Sequence, residues 1–121
     1  MKLAFSVDTK PYPQPRPRVV RGHAFEPKRI TDYKNLLRCV AKIHMADKPI
    51  IRSPIYVHIH FRKNRDTSSR AFGDADNLAK AVLDALSGII YTDDSYVVRL
   101  GISKQKSKHE GVDITVSDKI V

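Results

Sequence analysis

The segment from Asn77 to about Ile90 repeats apolar residues at helical spacing over most of its circumference, and this constrains the fold more than any other feature. The apolar positions are Leu78, Ala81, Leu83, Val82, Ala85, Leu86 and Ile89. A helix of this kind needs other elements around most of its surface. Successive residues of a helix are rotated by about 100°, and with this rotation the polar side chains of the segment fall in one narrow stripe. A single polar stripe on an otherwise apolar helix indicates a cleft or an interface. That stripe consists of Asn77, Lys80, Asp84 and Ser87.

The rest of the chain predicts a sheet and one further helix. Alternating apolar residues predict strands near residues 2–7, 55–61, 98–102 and 112–116, and the last two read as a closing hairpin around residues 104–111. Helical spacing predicts a helix that starts at Thr31, a candidate N-cap, and fades near residues 47–49. We therefore predict one small α+β domain over residues 1–121, with a mixed sheet and two main helices in the order β-α-β-α-β-β.

Charge and cysteine content narrow the class of partner. The chain has 22 Lys and Arg against 13 Asp and Glu, a net charge of +9 on 121 residues. This balance favours a polyanion, with nucleic acid first. No apolar run is long enough to span a bilayer and no signal peptide opens the chain, so we expect a soluble, intracellular protein. The single cysteine, Cys39, excludes an internal disulfide, and we expect it to be a buried small hydrophobe.

Two segments concentrate the positive charge. Residues 10–29 hold five of the seven prolines, and the first part of this range should form an extended, semi-rigid surface segment. Residues 62–73 lack an apolar period and predict a mobile loop. Basic side chains in these segments would neutralise DNA phosphates. The predicted DNA contacts are Arg16, Arg18, Arg21, Lys63, Arg65 and Arg70. A surface that only keeps the protein soluble is the alternative.

Acidic residues flank the second helix inside this basic chain. Asp74 and Asp76 lie at its start, where either one suits a helix cap, and Asp76 is also spaced for an ion pair with Lys80. Together their carboxylates repel unless a cation lies between them, and hard oxygen ligands suit Mg²⁺ or Mn²⁺. Asp93 and Asp94 follow the helix, where a turn is the simpler interpretation. Asp94 joins the other two only if the fold returns it to them.

These residues resemble the signature of the RusA family of Holliday-junction resolvases. The matching stretches are Asp74-Ala75-Asp76-Asn77-Leu78 with Lys80, Asp84-Ala85-Leu86, and Asp93-Asp94 before Val97-Val98. The amino-terminal runs Pro15-Arg16-Pro17-Arg18 and Phe25-Glu26-Pro27-Lys28 are similar to phage-type members. The Ser- and Gly-containing loop before Asp74 departs from the family pattern.

The resemblance implies a site and an activity. It implies a metal-binding set of Asp74, Asp76 and Asp94, an essential Lys80, and a homodimer that nicks two symmetrically placed strands of a four-way DNA junction. The implied place of action is the cytoplasm of a bacterial or phage-infected cell, at the nucleoid. We expect Mg²⁺, or Mn²⁺, to be held by the three carboxylates while Lys80 stabilises phosphate charge or orients the attacking water.

Two alternatives stay open at this point. One is a noncatalytic junction-binding protein, in which the aspartates only cap a helix. The other is a metal nuclease that acts on flaps, forks or ordinary duplexes.

Overall fold

The computed structural model describes residues 1–16 and 18–118, and the side chains of residues 18–20, 23 and 24 lie outside the described set. The elements in chain order are β1 Lys2–Val7, β2 Arg18–Val20, β3 His23–Phe25, α1 Lys28–Met45, β4 Ile55–Lys63, α2 Ala75–Leu86, β5 Val97–Lys106 and β6 Gly111–Ser117. A 3₁₀ turn at Asp94–Tyr96 precedes β5. The predicted α+β class and the main element order are confirmed. The hairpin formed by β2 and β3 was not predicted, because residues 10–29 carry no alternating apolar pattern.

The four long strands form one mixed sheet in the order β1-β6-β4-β5. Strand β4 is parallel to β5, whereas β6 is antiparallel to both β4 and β1. Ile59 at the centre pairs with Ile102 on one side and Ile114 on the other. Since parallel neighbours need a crossover, α2 must run back along the sheet between the end of β4 and the start of β5.

The predicted hairpin of the last two strands is wrong. Strands β5 and β6 are not neighbours, because β4 lies between them. Residues 107–110 cross the end of β4, where the Ser107 amide donates to the Lys63 carbonyl oxygen at 3.0 Å. Alternation shows which side chains face the core, but it does not show which strand is the neighbour.

Both helices and the inner sheet face enclose one core. Along β4, burial alternates so that Ile55, Val57, Ile59 and Phe61 face inward. From α2, the buried residues are Leu78, Ala79, Ala81, Val82, Ala85 and Leu86. This confirms the nearly complete apolar circumference predicted for that helix.

The helix boundaries differ from those predicted. Helix α1 starts at Lys28, after Pro27, and not at Thr31. The Pro27 carbonyl accepts the first backbone bonds, from Ile30 and Thr31. Helix α2 starts two residues earlier than expected and ends at Leu86, because Gly88 adopts a positive φ of 84° that ends the helix.

The predicted burial of Cys39 is also wrong, since its side chain is exposed. The buried face of α1 consists of Ile30, Tyr33, Leu37, Ala41 and Met45. Cys39 follows Leu37 by two residues, which is roughly 200° around the helix, so it faces away from the core. Within the described ranges, the structure contains no helix that is long and apolar enough to cross a membrane.

Candidate active site

The first turn of α2 presents two carboxylates to solvent. Asp74 occupies the N-cap position in extended backbone, yet its side chain makes no capping hydrogen bond. Asp76 follows in the first turn, where its Oδ1 accepts a hydrogen bond from the adjacent Asn77 amide, at 2.9 Å. Both side chains are exposed. The capping role considered for Asp74 is therefore not used in this structure, and the positive end of the helix dipole favours both charges.

Three parts of the chain meet at this helix start. Gly73 has a φ of 109°, and a Cβ there would lie 3.1 Å from Pro13 Cγ and 3.3 Å from Leu78 Cδ2. The Gln14 amide donates to the Asn77 carbonyl oxygen at 2.9 Å. The proline-rich segment is thus packed directly against the turn that carries Asp74 and Asp76. A side chain at position 73 would push the two apart.

The loop before Asp74 is held by two lysines. Phe72 is fully buried, and its carbonyl oxygen accepts from Lys63 Nζ at 3.3 Å. Lys104 Nζ donates to the Gly73 carbonyl oxygen at 2.5 Å and to that of Thr67 at 3.1 Å. The loop of residues 64–73 is therefore tied to β4 and β5 by hydrogen bonds, whereas the sequence predicted a mobile loop over residues 62–73.

Lys63 does not lie in an exposed loop as predicted. It is the last residue of β4, is 6% exposed, and its ammonium lies 5.6 Å from the Tyr12 ring centroid. Alternation along β4 explains this, since Lys63 continues the inward series that ends at Phe61. Burial, and then the charge of Lys10, lowers the pKa of Lys63, with Arg65 and Arg29 acting in the same direction.

Exposed basic residues belong to the two segments that meet at the start of α2. Arg16, Arg21, Arg65 and Arg70 are exposed, whereas the side chain of Arg18 lies outside the described residues. Arg65 and Arg70 belong to the loop that leads into Asp74, and Arg16 lies two residues beyond Gln14. Two further cations gather here: Arg29 lies 5.6 Å from the Tyr12 ring centroid, and Lys10 lies near Lys63. Both lie in the positively charged residues 10–29, but no contact was predicted for either one, because their proximity to Tyr12 and Lys63 depends on the path of the chain.

The polar stripe of α2, which was predicted to mark a cleft or an interface, contacts α1 at Asp84 and is exposed to solvent at Lys80. Lys80 is exposed, one turn after Asp76, and no ion pair within 4.0 Å joins these two described residues. Asp84 lies 3.7 Å from Lys34 of α1. Arg38 of α1 donates to the carbonyl oxygens of Ala85 and Ser87 at 2.8 and 3.2 Å, which caps the end of α2. Asp84 is thus a structural contact.

A second acidic group lies beyond the far end of α2. Asp93 accepts the Ser95 amide at 2.9 Å and caps the 3₁₀ turn, as a simple turn role predicts. This backbone bond, together with a hydrogen bond to Asp94, lowers the pKa of Asp93. The hydrogen bond with Asp93, followed by burial and the charges of Asp93 and Asp84, raises the pKa of Asp94. Asp94 therefore sits among other carboxylates, which disfavours its negative charge.

One chain does not bring Asp94 to Asp74 and Asp76. Asp74 precedes the twelve-residue α2 and Asp94 follows it, and such a helix is roughly 18 Å long. The register of the sheet gives the same result. Lys104, whose ammonium contacts Gly73, pairs with Phe61 near the end of β4. Val97, which closely follows Asp94, pairs with Ile55 at the start of β4. Among residues 1–16 and 18–118, no three His, Cys, Asp or Glu side chains are grouped to hold a metal ion. The oxygen donors suit Mg²⁺, but a single chain does not assemble the predicted set of three.

Two comparisons with known proteins show the family to which the chain belongs. The chain is 28% identical to an uncharacterised protein of Bacillus subtilis strain 168, YqaN, over 96% of both chains. The family model described as endodeoxyribonuclease RusA matches residues 8–117, which include the proline-rich segment, both helices and the whole sheet except the first strand. The chain therefore belongs to the RusA family, whose members are endodeoxyribonucleases that act on Holliday junctions.

Proposed function

We propose that the protein is a divalent-metal-dependent endodeoxyribonuclease that works as a homodimer and resolves four-way junctions by two symmetric nicks during recombination and repair. One observation carries the proposal: the exposed carboxylates of Asp74 and Asp76 lie where the proline-rich segment and the loop of residues 64–73 meet, and Asp74 makes no capping hydrogen bond. Family membership supports nuclease action on such junctions. We place this activity on the DNA of the bacterial nucleoid, in the cytoplasm.

The chemistry of the donors supports Mg²⁺, or Mn²⁺, as the cofactor. Carboxylate oxygens at an exposed helix start leave room for water and phosphate oxygens around a hard cation. Such an ion, when bound, polarises the scissile phosphate and lowers the pKa of a bound water. Because Asp94 of the same chain lies beyond the other end of α2, we propose that Asp94 of a second copy completes the set with Asp74 and Asp76.

Lys80 is positioned to act on the phosphate. It projects from α2 one turn after Asp76, is exposed, and makes no ion pair with a described carboxylate within 4.0 Å. An ammonium group there stabilises charge on the nonbridging oxygens or orients the attacking water. We assign it no nucleophilic role, since phosphoryl transfer depends on positioning and charge stabilisation.

The basic residues bring the DNA backbone to these carboxylates. The proposed phosphate contacts are Arg16, Arg18, Arg21, Arg65 and Arg70. Lys63, which was predicted as a sixth, is buried and instead supports Tyr12 and the Phe72 carbonyl. Phosphate contacts of these arginines would release counterions without reading the base sequence, so affinity should fall steeply with salt.

A substrate panel tests the proposal. Mobile four-way junctions, flaps, forks and duplexes are incubated at equal salt with the wild-type protein, with and without Mg²⁺. Asp74→Asn is compared with Asp47→Asn, a matched change of an exposed aspartate after α1. We expect paired nicks in the junction only with Mg²⁺, and we expect Asp74→Asn to bind junctions without cutting them while Asp47→Asn cuts normally.

Other outcomes identify the alternatives. A wild-type protein that binds junctions but never cleaves them would be a junction-binding protein. Equal cleavage of all four substrates would indicate a nuclease without junction preference. Metal-independent cleavage by Asp74→Asn at the wild-type rate would exclude the proposed site.

A further inference from the structure

The outer face of the sheet, which points away from the two helices, carries three rings in a row on the interior strand β4. Alternation along β4 buries one set of side chains in the core and turns Tyr56, His58 and His60 to the other side. We propose that this face binds an unpaired DNA strand, whose bases stack on the rings while its phosphates meet the cations beside them. The site lies across the sheet from α2, and it does not rest on the proposed nuclease function.

The strands on both sides of β4 leave the rings uncovered, because the residues that pair with the rings are mostly short. These short partners on β5 and β6 are Gly101, Ser103, Asp113, Thr115 and Ser117. A shallow trough of about 310 Å³ therefore opens beside Tyr56 and His58, with Arg99 in its wall. This volume is at the lower end of the range for small-ligand sites, so it suits one flat group such as a base.

Gly101 makes room for one of the rings. A Cβ at Gly101 would lie 2.6 Å from His58 Nδ1. The His58 ring therefore leans over the β5 backbone, in space that any other residue at position 101 would occupy. Because His58 is also exposed, its ring extends the trough from β4 to β5.

Hydrogen bonds hold the next ring of the row. His60 Nδ1 lies 2.6 Å from Ser103 Oγ, and His60 Nε2 lies 2.9 Å from Gln105 Oε1. The same Ser103 hydroxyl lies 3.4 Å from His58 Nε2. Side chains that are already held lose little rotamer freedom when a ligand binds. The row thus offers preorganised rings at alternate strand positions, roughly 6.7 Å apart, to successive bases of an extended strand.

The charge of the outer face favours a polyanion. The outward residues of the four strands include the cations Lys2, Arg62 and Arg99, whereas Asp113 is the sole carboxylate of these strands. Asp113 accepts from Arg62 at 3.0 and 3.1 Å and from Ser6 at 2.6 Å, so its charge is compensated. Arg99 is exposed and makes no ion pair within 4.0 Å with a carboxylate in the described part of the chain. It is therefore the cation available to a phosphate at the trough.

The rings favour an unpaired strand over other occupants. In a duplex the neighbouring base pairs cover each base, so only phosphates would reach this face, whereas an unpaired strand presents its bases for stacking. A second copy of the chain would bring an uncompensated Arg99 on each side of the contact, and like charges oppose such a contact. The combination of rings and cations thus matches a polyanion with accessible base faces.

Binding of a short fluorescein-labelled thymidine oligonucleotide tests the site. Anisotropy is measured without divalent metal, with a labelled duplex of equal length in parallel. Tyr56→Ala and His58→Ala are compared with His44→Ala, a matched change of an exposed histidine on α1. Each ring removed from the outer face should weaken oligonucleotide binding at least about fivefold and leave duplex binding nearly unchanged, whereas His44→Ala should change neither. Wild-type affinity in both ring variants, or an equal loss for oligonucleotide and duplex, would overturn the proposal.

Filling the trough is a second test that keeps every ring and every charge. Gly101→Val adds a side chain where the His58 ring lies, so it should reduce oligonucleotide affinity as much as His58→Ala does. A cooperative thermal transition verifies folding, and if Gly101→Val does not fold, His58→Ala decides. Arg99→Gln should lower the slope of log K against log salt concentration by about 0.7, the value for one phosphate of a single strand. An unchanged slope would count against the phosphate contact.

Sedimentation of the same variants distinguishes a protein contact from a DNA contact. The association state of Tyr56→Ala and His58→Ala should equal that of the wild type. A wild-type dimer that becomes a 13.7 kDa monomer in these variants would show that a second copy covers the outer face, and it would overturn the proposal. Because all of these measurements are made without metal, loss of the nuclease proposal would leave their outcome unaffected.

Discussion

Lys104 Nζ donates a 2.5 Å hydrogen bond to the carbonyl oxygen of Gly73, which ties the end of β5 to the residue before the α2 carboxylates. The same ammonium lies 5.3 Å from the ring centroid of the buried Phe72. One side chain of the sheet thus contacts the backbone immediately before Asp74, the N-cap of α2. This contact connects the fold of the chain to its candidate chemistry.

Replacing Lys104 with Met should loosen the first turn of α2. We expect a loss of about 1–3 kcal/mol in the free energy of unfolding, because the carbonyl oxygen of Gly73 loses a charged donor. Junction cleavage should fall more than junction affinity, since Asp74 is displaced while the surface arginines remain. Chemical denaturation and single-turnover kinetics measure the two effects. The control is Lys106→Met, whose 3.4 Å pair with Asp66 is exposed and contributes at most about 1 kcal/mol. Equal effects of both changes would contradict this role for Lys104.

Two inactive variants should restore activity when mixed. In a dimer whose sites combine Asp74 and Asp76 of one copy with Asp94 of the other, a heterodimer of Asp74→Asn and Asp94→Asn contains one intact site. Random mixing gives heterodimers in half of the molecules, so we expect about a quarter of the wild-type nicking rate, as single nicks. Gel analysis of a labelled junction after unfolding and joint refolding measures it. Sites built within one chain would stay inactive in every mixture.

The Glu26 carboxylate should make stability depend on acid pH. Its hydrogen bond from Lys34, at 2.7 Å, outweighs burial and, with bonds from Gln14 and Thr31, lowers the pKa of Glu26 below its ordinary 4.5. A lowered folded-state pKa adds stability above the unfolded value, and this stability is lost as the pH falls through the folded value. Glu26→Gln should therefore flatten the fall in unfolding free energy below pH 4.5, measured by denaturation at several pH values. Lys34→Met should act in the same direction, whereas unchanged slopes in both would exclude this linkage.

Neutralising Arg65 and Arg70 should weaken junction binding most at low salt. Each phosphate contact contributes roughly 0.9 to the slope of log K against log salt concentration, so Arg65→Gln/Arg70→Gln should reduce the slope by up to about 2. Fluorescence anisotropy over a salt series measures it. Lys48→Gln is the control, because Lys48 is exposed after α1 and its ammonium contacts the His44 carbonyl. An unchanged slope in the arginine variant would show that the loop of residues 64–73 does not contact phosphate.

The sequence and the tertiary structure contributed different parts of the site. The apolar circumference of α2 identified Lys80 and Asp84 as members of its polar stripe, because helical periodicity follows from residue order alone. The alternation of β4 identified its buried face for the same reason. The motif around Asp74 indicated the family, and the match over residues 8–117 confirms it.

Only the tertiary structure decided which elements are neighbours. It inserted β4 between β5 and β6, buried Lys63, exposed Cys39 and separated Asp94 from Asp74 by the length of α2. Periodicity reports the direction of a side chain within its own element, whereas strand order depends on contacts between residues far apart in the chain. The sequence by itself therefore indicated the residue types of the candidate site, and the packing of the sheet decided that one chain holds them at two opposite ends of α2.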